Sequence, residues 1–355
     1  MLSEKHKITE DGFGIHTFEL MYSCIYKKEY KRLRKRFCYI NNYLDSNEKY
    51  YVGDNYTYLN LYDDGIRIYL NCDKSKFYSI RVIITPRTLI DGSAEATSIS
   101  RKDEDYDEIE SRLYHKLCVV FGNEFDLGRF KLSRVDCCVN IMLPECYSAE
   151  KYIRLIRRSM VYNYHAKVIT YGDVDKDRHS FRIITGNMTF TAYDKYYQLN
   201  DANKNYDAVS DSLLRLEIAL NRDIIYEIEL NAAIIKLSAI LRQIAWLSES
   251  VFVDYIDTHF LYGDYYCIDE MRSRIENSNL SNKTKEYMRK CTDIQFNRNN
   301  YPALKEHLIS MLGSRHRYRK MLEGFADIEM SPVSMPQRCN NEEKMLPGLH
   351  RILGM

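Results

Sequence analysis

The sequence is poor in proline, nearly without tryptophan, and almost neutral. Six prolines, one Trp, and 51 Lys and Arg against 50 Asp and Glu are spread over 355 residues. A net charge of +1 excludes bulk attraction to a polyanion, so nucleic acid would have to be met by local basic patches. No run of eighteen apolar residues occurs, so no membrane-spanning helix and no membrane partner are expected. The ten cysteines contain no Cys-x-x-Cys pair, and several stand in apolar runs. That argues against a zinc site or a disulfide framework and for reduced thiols. The charged start, Met1 to Lys7, leads into no signal-type apolar core, and a cytoplasmic location is the expectation. There is no Gly-x-x-x-x-Gly-Lys-Ser/Thr loop, which excludes a P-loop ATPase and a self-contained helicase. Nor is there a Gly-x-Ser-x-Gly elbow. What remains is a globular composition, 45% hydrophobic with 31 tyrosines, long enough for two domains and a sizeable core.

Three stretches carry the argument. In 132–142, Ser133, Val135, Cys137, Val139 and Ile141 alternate with Arg134, Asp136 and Asn140. Period-two alternation marks a half-buried strand, and here the open face carries an arginine, a carboxylate and an amide. In 213–220, Leu214, Leu216, Ile218 and Leu220 form an apolar face opposite Arg215 and Glu217. In 189–195, Thr189, Thr191, Tyr193 and Lys195 share a face. Side by side in one sheet, these strands would line a groove with two carboxylates, three cations and a tyrosine.

The rest of the chain reads as α+β, a largely antiparallel sheet with packed helices, followed by a helical C-terminal part. Residues 1–50 read as a polar extension. Its basic stretch, Lys27 to Arg36, carries Tyr26, Tyr30, Leu33 and Phe37 at helical spacing, either packed beneath a solvated face or backing a phosphate-contacting one. Residues 51–225 hold the strands. They include a hairpin turning at Asp63-Asp64-Gly65, a strand ending at Pro86, and a second hairpin at Gly186-Asn187. Helices are expected from the acidic run at 103–110 to Phe121 and from Ser148 to about Met160; Asp173 to Arg178 reads as a charged loop. From 226 to 355 the period becomes helical. Leu230, Ile234, Leu237, Leu241 and Ile244 trace one long helix, shorter helices follow at about 252–262, 267–278, 284–296 and 302–312, and an irregular tail starts beyond Asp327. Within this half, 268–277 and 282–292 have the spacing of a helix-turn-helix.

Chemistry follows from the open faces. Asp136 and Glu217, on separate strands, offer the hard oxygens that Mg²⁺ or Mn²⁺ takes beside a phosphate. Arg134, Arg215 and Lys195 are the cations to neutralise charge building on phosphorus. Tyr193 is the candidate nucleophile. A purely structural reading of the same residues pairs Arg134 with Glu217 and Arg215 with Asp136 as cross-strand ion pairs.

Three ordered signatures bear on that choice: Arg-Val-Asp-Cys-Cys-Val-Asn at 134–140, Thr-Ala-Tyr-Asp-Lys-Tyr-Tyr-Gln at 191–198, and Leu-Arg-Leu-Glu-Ile-Ala-Leu at 214–220. Together they resemble the replication initiation factors of rolling-circle plasmids, phages and mobile elements, over roughly residues 55–225. The resemblance implies a nicking domain that cuts one origin strand, joins its 5′-phosphate to a tyrosine and leaves a 3′-hydroxyl. It implies Asp136 and Glu217 as metal ligands with Arg134 and Arg215 beside them, and Tyr193 with Lys195 as nucleophile and phosphate contact. Expected partners are origin DNA, single-stranded or extruded as a hairpin, a host helicase, and a second copy of the chain, in a bacterial cytoplasm. The His-hydrophobe-His pair of the usual relaxase site is missing among nine histidines, so an acidic site must serve instead. Tyr171, Tyr196 and Tyr197 are neighbouring alternatives for the nucleophile. The runner-up function is an origin-binding protein that keeps the fold without the chemistry.

Overall fold

The computed structural model describes residues 7–23, 25–41, 49–53, 56–72, 77–92, 100–122, 125–143, 148–161, 166–169, 174–201, 213–232, 236–293, 301–335 and 344–355. One eleven-stranded sheet dominates. Its strands are β1 (Lys7–Ser23), β2 (Lys49–Val52), β3 (Tyr56–Leu61), β4 (Ile66–Cys72), β5 (Tyr78–Ile84), β6 (Ser100–Arg101), β7 (Lys131–Met142), β8 (Ala166–Ile169), β9 (Ser180–Thr185), β10 (Met188–Asp194) and β11 (Leu213–Asn221). The order across the sheet is β2-β3-β4-β5-β1-β7-β11-β10-β9-β8, with β6 also on β1. Neighbouring strands run antiparallel throughout. The α+β class with a large antiparallel sheet is therefore what the chain adopts.

The alternation read from the sequence sets the faces. Val135, Cys137, Val139 and Ile141 are fully buried, as are Leu214, Leu216 and Ile218 across the ladder. Burying each such aliphatic side chain contributes roughly 1.5–3 kcal/mol before conformational entropy is charged against it. A one-residue slip would turn the whole set to the wrong face, which fixes the register.

The main correction concerns the first fifty residues. What reads as a polar extension supplies β1, the strand between β5 and β7. Its pairing with β7 shifts between Ile15 and Thr17: Ile15 faces Cys137 and Thr17 faces Asp136, leaving His16 without a partner position in the ladder. This is a β-bulge, one extra residue that bends the strand and re-aims a side chain.

Thirteen helices occur among the described residues: α1 (Lys27–Asn41), α2 (Pro86–Asp91), α3 (Tyr106–Phe121), α4 (Ala149–Arg158), α5 (Val174–His179), α6 (Lys195–Asp201), α7 (Arg222–Ala232), α8 (Leu237–His259), α9 (Ile268–Asn277), α10 (Asn282–Asp293), α11 (Tyr301–Leu312), α12 (Arg315–Asp327) and α13 (Leu349–Ile352). Asp105 caps α3 by accepting from the Asp107 and Glu108 amides, and Ser148 caps α4 by accepting from the Lys151 amide. Tyr30, Leu33 and Phe37 of α1 are buried, whereas Tyr26, just before the helix, is exposed. Arg36 of this helix donates to the Val119 and Val120 carbonyls at the end of α3.

Several expectations change in detail. The long helix divides into α7 and α8, with Leu230 exposed on α7; α8 absorbs the separate helix expected at 252–262. The charged loop at 173–178 overlaps α5. Tyr171 and Ile234 lie outside the described residues. Helices α9 and α10 are joined by 278–281, as the helix-turn-helix spacing requires, but Arg272, Arg289 and Lys290 are engaged by Asp293, Glu276 and Glu286. In the tail, Met345–Leu346 pairs with Tyr265–Tyr266. Buried apolar residues form one cluster from Ile15 to Leu353, so the change of period at 225/226 does not mark a break in the core. No helix among the described residues is long and apolar enough to cross a membrane.

Candidate active site

Strands β7, β11 and β10 are adjacent, and their registers bring the three predicted stretches onto one face. Arg215 lies opposite Asn140 and Glu217 opposite Cys138 on β7; on β10, Tyr193 lies opposite Arg215 and Thr191 opposite Glu217. Asp136 is opposite Ala219, one diagonal step from Glu217. Diagonal neighbours stand about 7–8 Å apart, within reach of long side chains. A cavity of about 500 Å³ opens over this face, with Asp136, Glu217, Tyr193 and Arg134 in its wall. The bulge in β1 adds His16 and Thr17 from the other side.

Each carboxylate is held. Asp136 accepts from Thr17 Oγ1 at 2.5 Å and from Arg134 Nε at 2.6 Å. Glu217 Oε1 accepts the Tyr193 hydroxyl at 2.5 Å, with His16 Nε2 at 3.8 Å. Burial, and then the charge of Asp136, raises the Glu217 pKa above the ordinary carboxylate value. Burial, and then Glu217, pushes the Tyr193 phenol well above its usual range. The phenol is thus protonated at neutral pH and donates to a carboxylate that holds protons unusually well. Burial, reinforced by the nearby Arg215, Lys195 and Arg67, lowers His16 so that its imidazole is neutral.

Two of the predicted cations do not occupy the position expected of them. Arg215 is completely buried and is absent from the cavity wall. Its Nε donates to Asn140 Oδ1 at 2.7 Å, and its Nη1 lies 3.2 Å from the His16 ring. Lys195 is not on the strand at all; it is the first residue of α6, buried, with its ammonium 5.6 Å from the Tyr193 ring and 2.8 Å from Gln198 Oε1. Both are buried and neither is in the cavity wall. Arg134 pairs with Asp136 on its own strand, its Nε 2.6 Å from Oδ1.

The sequence reading missed His16, Thr17, Arg67, Arg182, Lys176 and His179, all in the cavity wall. His16 and Thr17 were signalled by a change of parity in β1, where buried Ile15 is followed by buried Phe18 and Leu20. Tyr197 also lines the cavity, whereas Tyr196 is not in its wall.

Among the described residues no three Asp, Glu, His or Cys side chains converge as a ready-made metal set. Two carboxylates on one cavity wall nevertheless fit a hard divalent cation. Mg²⁺ is commonly held by one or two carboxylates with water and phosphate oxygens completing its shell. No protein-family model matches the chain, and no curated protein matches it significantly.

Proposed function

We propose that the chain is a rolling-circle replication initiator whose site nicks origin DNA by transesterification onto Tyr193. The observation that carries this reading is the meeting of Asp136, Glu217, Tyr193 and Arg134 in one cavity, from strands far apart in sequence. Phosphodiester transfer to a phenol needs a base for the phenolic proton, positive charge for the phosphate, and room for the strand. Glu217 Oε1, 2.5 Å from the hydroxyl, takes the proton as the Tyr193 oxygen attacks phosphorus. Arg134, half exposed on the cavity wall, meets the phosphate directly. Buried Arg215 keeps Glu217 and Tyr193 aligned and offsets the charge moving between them. Asp136 and Glu217 would hold Mg²⁺ or Mn²⁺, which supplies Lewis-acid stabilisation of the phosphoryl oxygens. The proposed partners are single-stranded or extruded origin DNA and a host helicase.

The test can be run without the origin sequence in hand. A random-sequence pool of single-stranded oligonucleotides, incubated with the protein and Mg²⁺ or Mn²⁺, should yield an SDS-stable protein–DNA adduct. Tyr193→Phe should abolish the adduct and leave DNA retention on a filter intact. An adduct that persists in this variant transfers the nucleophile to Tyr197. Absence of any wild-type adduct, with retention preserved, favours the alternative of an origin-binding protein without the chemistry.

A further inference from the structure

A nicking reaction needs two proton transfers, and the residues so far account for one. Attack and departure occur on opposite sides of phosphorus, so the group that receives the Tyr193 proton does not also protonate the leaving oxygen. We propose, resting on the nicking reading above, that His179 is the general acid for the 3′-oxygen, oriented by Asp194. His179 ends α5 and lines the same cavity as Tyr193 and Glu217. Its Nδ1 lies 3.0 Å from Asp194 Oδ2. The carboxylate therefore selects the tautomer with hydrogen on Nδ1 and makes Nε2 the nitrogen that exchanges protons with substrate.

The dyad is fixed in two further ways. Asp194 is buried, and its Oδ1 accepts the Tyr197 amide at 3.0 Å, capping α6. The imidazole stacks on the Tyr197 ring with centroids 4.0 Å apart and planes within 3°. A ring held at its edge and on its face is pre-organised, which a general acid requires. The chemistry balances. The Tyr193 oxygen–phosphorus bond forms as the phosphorus–O3′ bond breaks. The phenolic proton passes to Glu217, and the Nε2 proton of protonated His179 passes to O3′, leaving a neutral imidazole and a 3′-hydroxyl. Religation runs the same transfers backward, with His179 as base.

A leaving-group substitution tests this. An oligonucleotide recovered from the adduct is made with oxygen or with a bridging sulfur at the 3′ position of the scissile link; sulfur departs as a thiolate and needs no proton. With the oxygen substrate, His179→Gln should slow adduct formation by about 10²–10⁴-fold. With the sulfur substrate it should return close to the wild-type rate. Asp194→Asn, which keeps an oxygen to cap α6, should show a smaller defect with the same rescue, and it decides the matter if His179→Gln does not fold. Equal slowing on both substrates overturns the assignment in favour of a purely structural role. A wild-type rate on oxygen overturns it outright. If the wild-type protein forms no adduct on either substrate, the nicking reading itself has failed.

Discussion

Thr17→Val isolates the contribution of β1 to the acidic site. Valine keeps the shape and the β-branching of threonine, so strand propensity and packing are nearly constant. The hydroxyl that donates to Asp136 Oδ2 at 2.5 Å is lost, between two residues that are each more than nine-tenths buried. A hydrogen bond to a charged group contributes about 1.5–3 kcal/mol, against about 0.5–1.5 kcal/mol for a neutral pair. Because Arg134 still donates to Oδ1, the loss should fall near the lower end, about 2 kcal/mol. In an Asp136→Asn background the same substitution should cost about 1 kcal/mol, leaving a coupling of about 1 kcal/mol between the two side chains. Urea unfolding of the four proteins in EDTA measures each term. A Thr17→Val cost below about 0.5 kcal/mol, the range of an uninvolved surface change, would refute the reasoning, as would a cost that stays the same once Asp136 has lost its charge.

Glu217 makes stability depend on pH. Its folded pKa lies above its ordinary 4.5, so its contribution is complete below that value and is lost as pH rises through the folded pKa. Glu217→Gln should therefore gain stability over wild type as pH climbs from about 4.5 toward neutrality, in metal-free buffer; parallel unfolding curves would contradict this. Gly14→Ala would drive a methyl group into the Ser100 backbone carbonyl, and overpacking of this kind costs about 1–3 kcal/mol, readable as a lowered urea midpoint. Lys27, Lys31 and Arg34 project into solvent from α1. If this face contacts DNA phosphates, changing all three to Gln should reduce the slope of log K against log salt by about 2 for a single strand; an unchanged slope puts the DNA elsewhere.

The parts of the site legible in the sequence were those on regular strands. Val135 to Ile141 and Leu214 to Leu220 keep strict alternation because one face of each is wholly buried, so the polar residues between them had to share the other. Alternation could not say how deep each polar residue would sit, and Arg215 and Lys195 are buried outside the cavity wall. Strand β1 was not legible because its bulge switches the parity of the apolar positions, and because Gly12 and Gly14 interrupt the pattern. His179 was missed for a different reason. A helix of six residues is under two turns, too short to show a period, and its charged composition reads as a loop. Asp194 was passed over as a strand residue of the wrong parity, although Asp before Lys-Tyr-Tyr is a helix-capping signal.

The seating of β1 between β5 and β7 has a bearing on how the protein is made. Thr17 and Asp136 are 119 positions apart, and His16 and Arg215 are 199 apart. Such distant pairings close slowly, since much chain entropy is surrendered before any contact rewards it. A nascent chain leaving the ribosome exposes β1 before β7 and β11, and must wait for β11 before the acids, the phenol and the bulge histidine can meet. The cavity wall is therefore complete only once the polypeptide has been made past Asn221, and fragments from interrupted translation upstream of β11 lack Glu217 and the wall it closes.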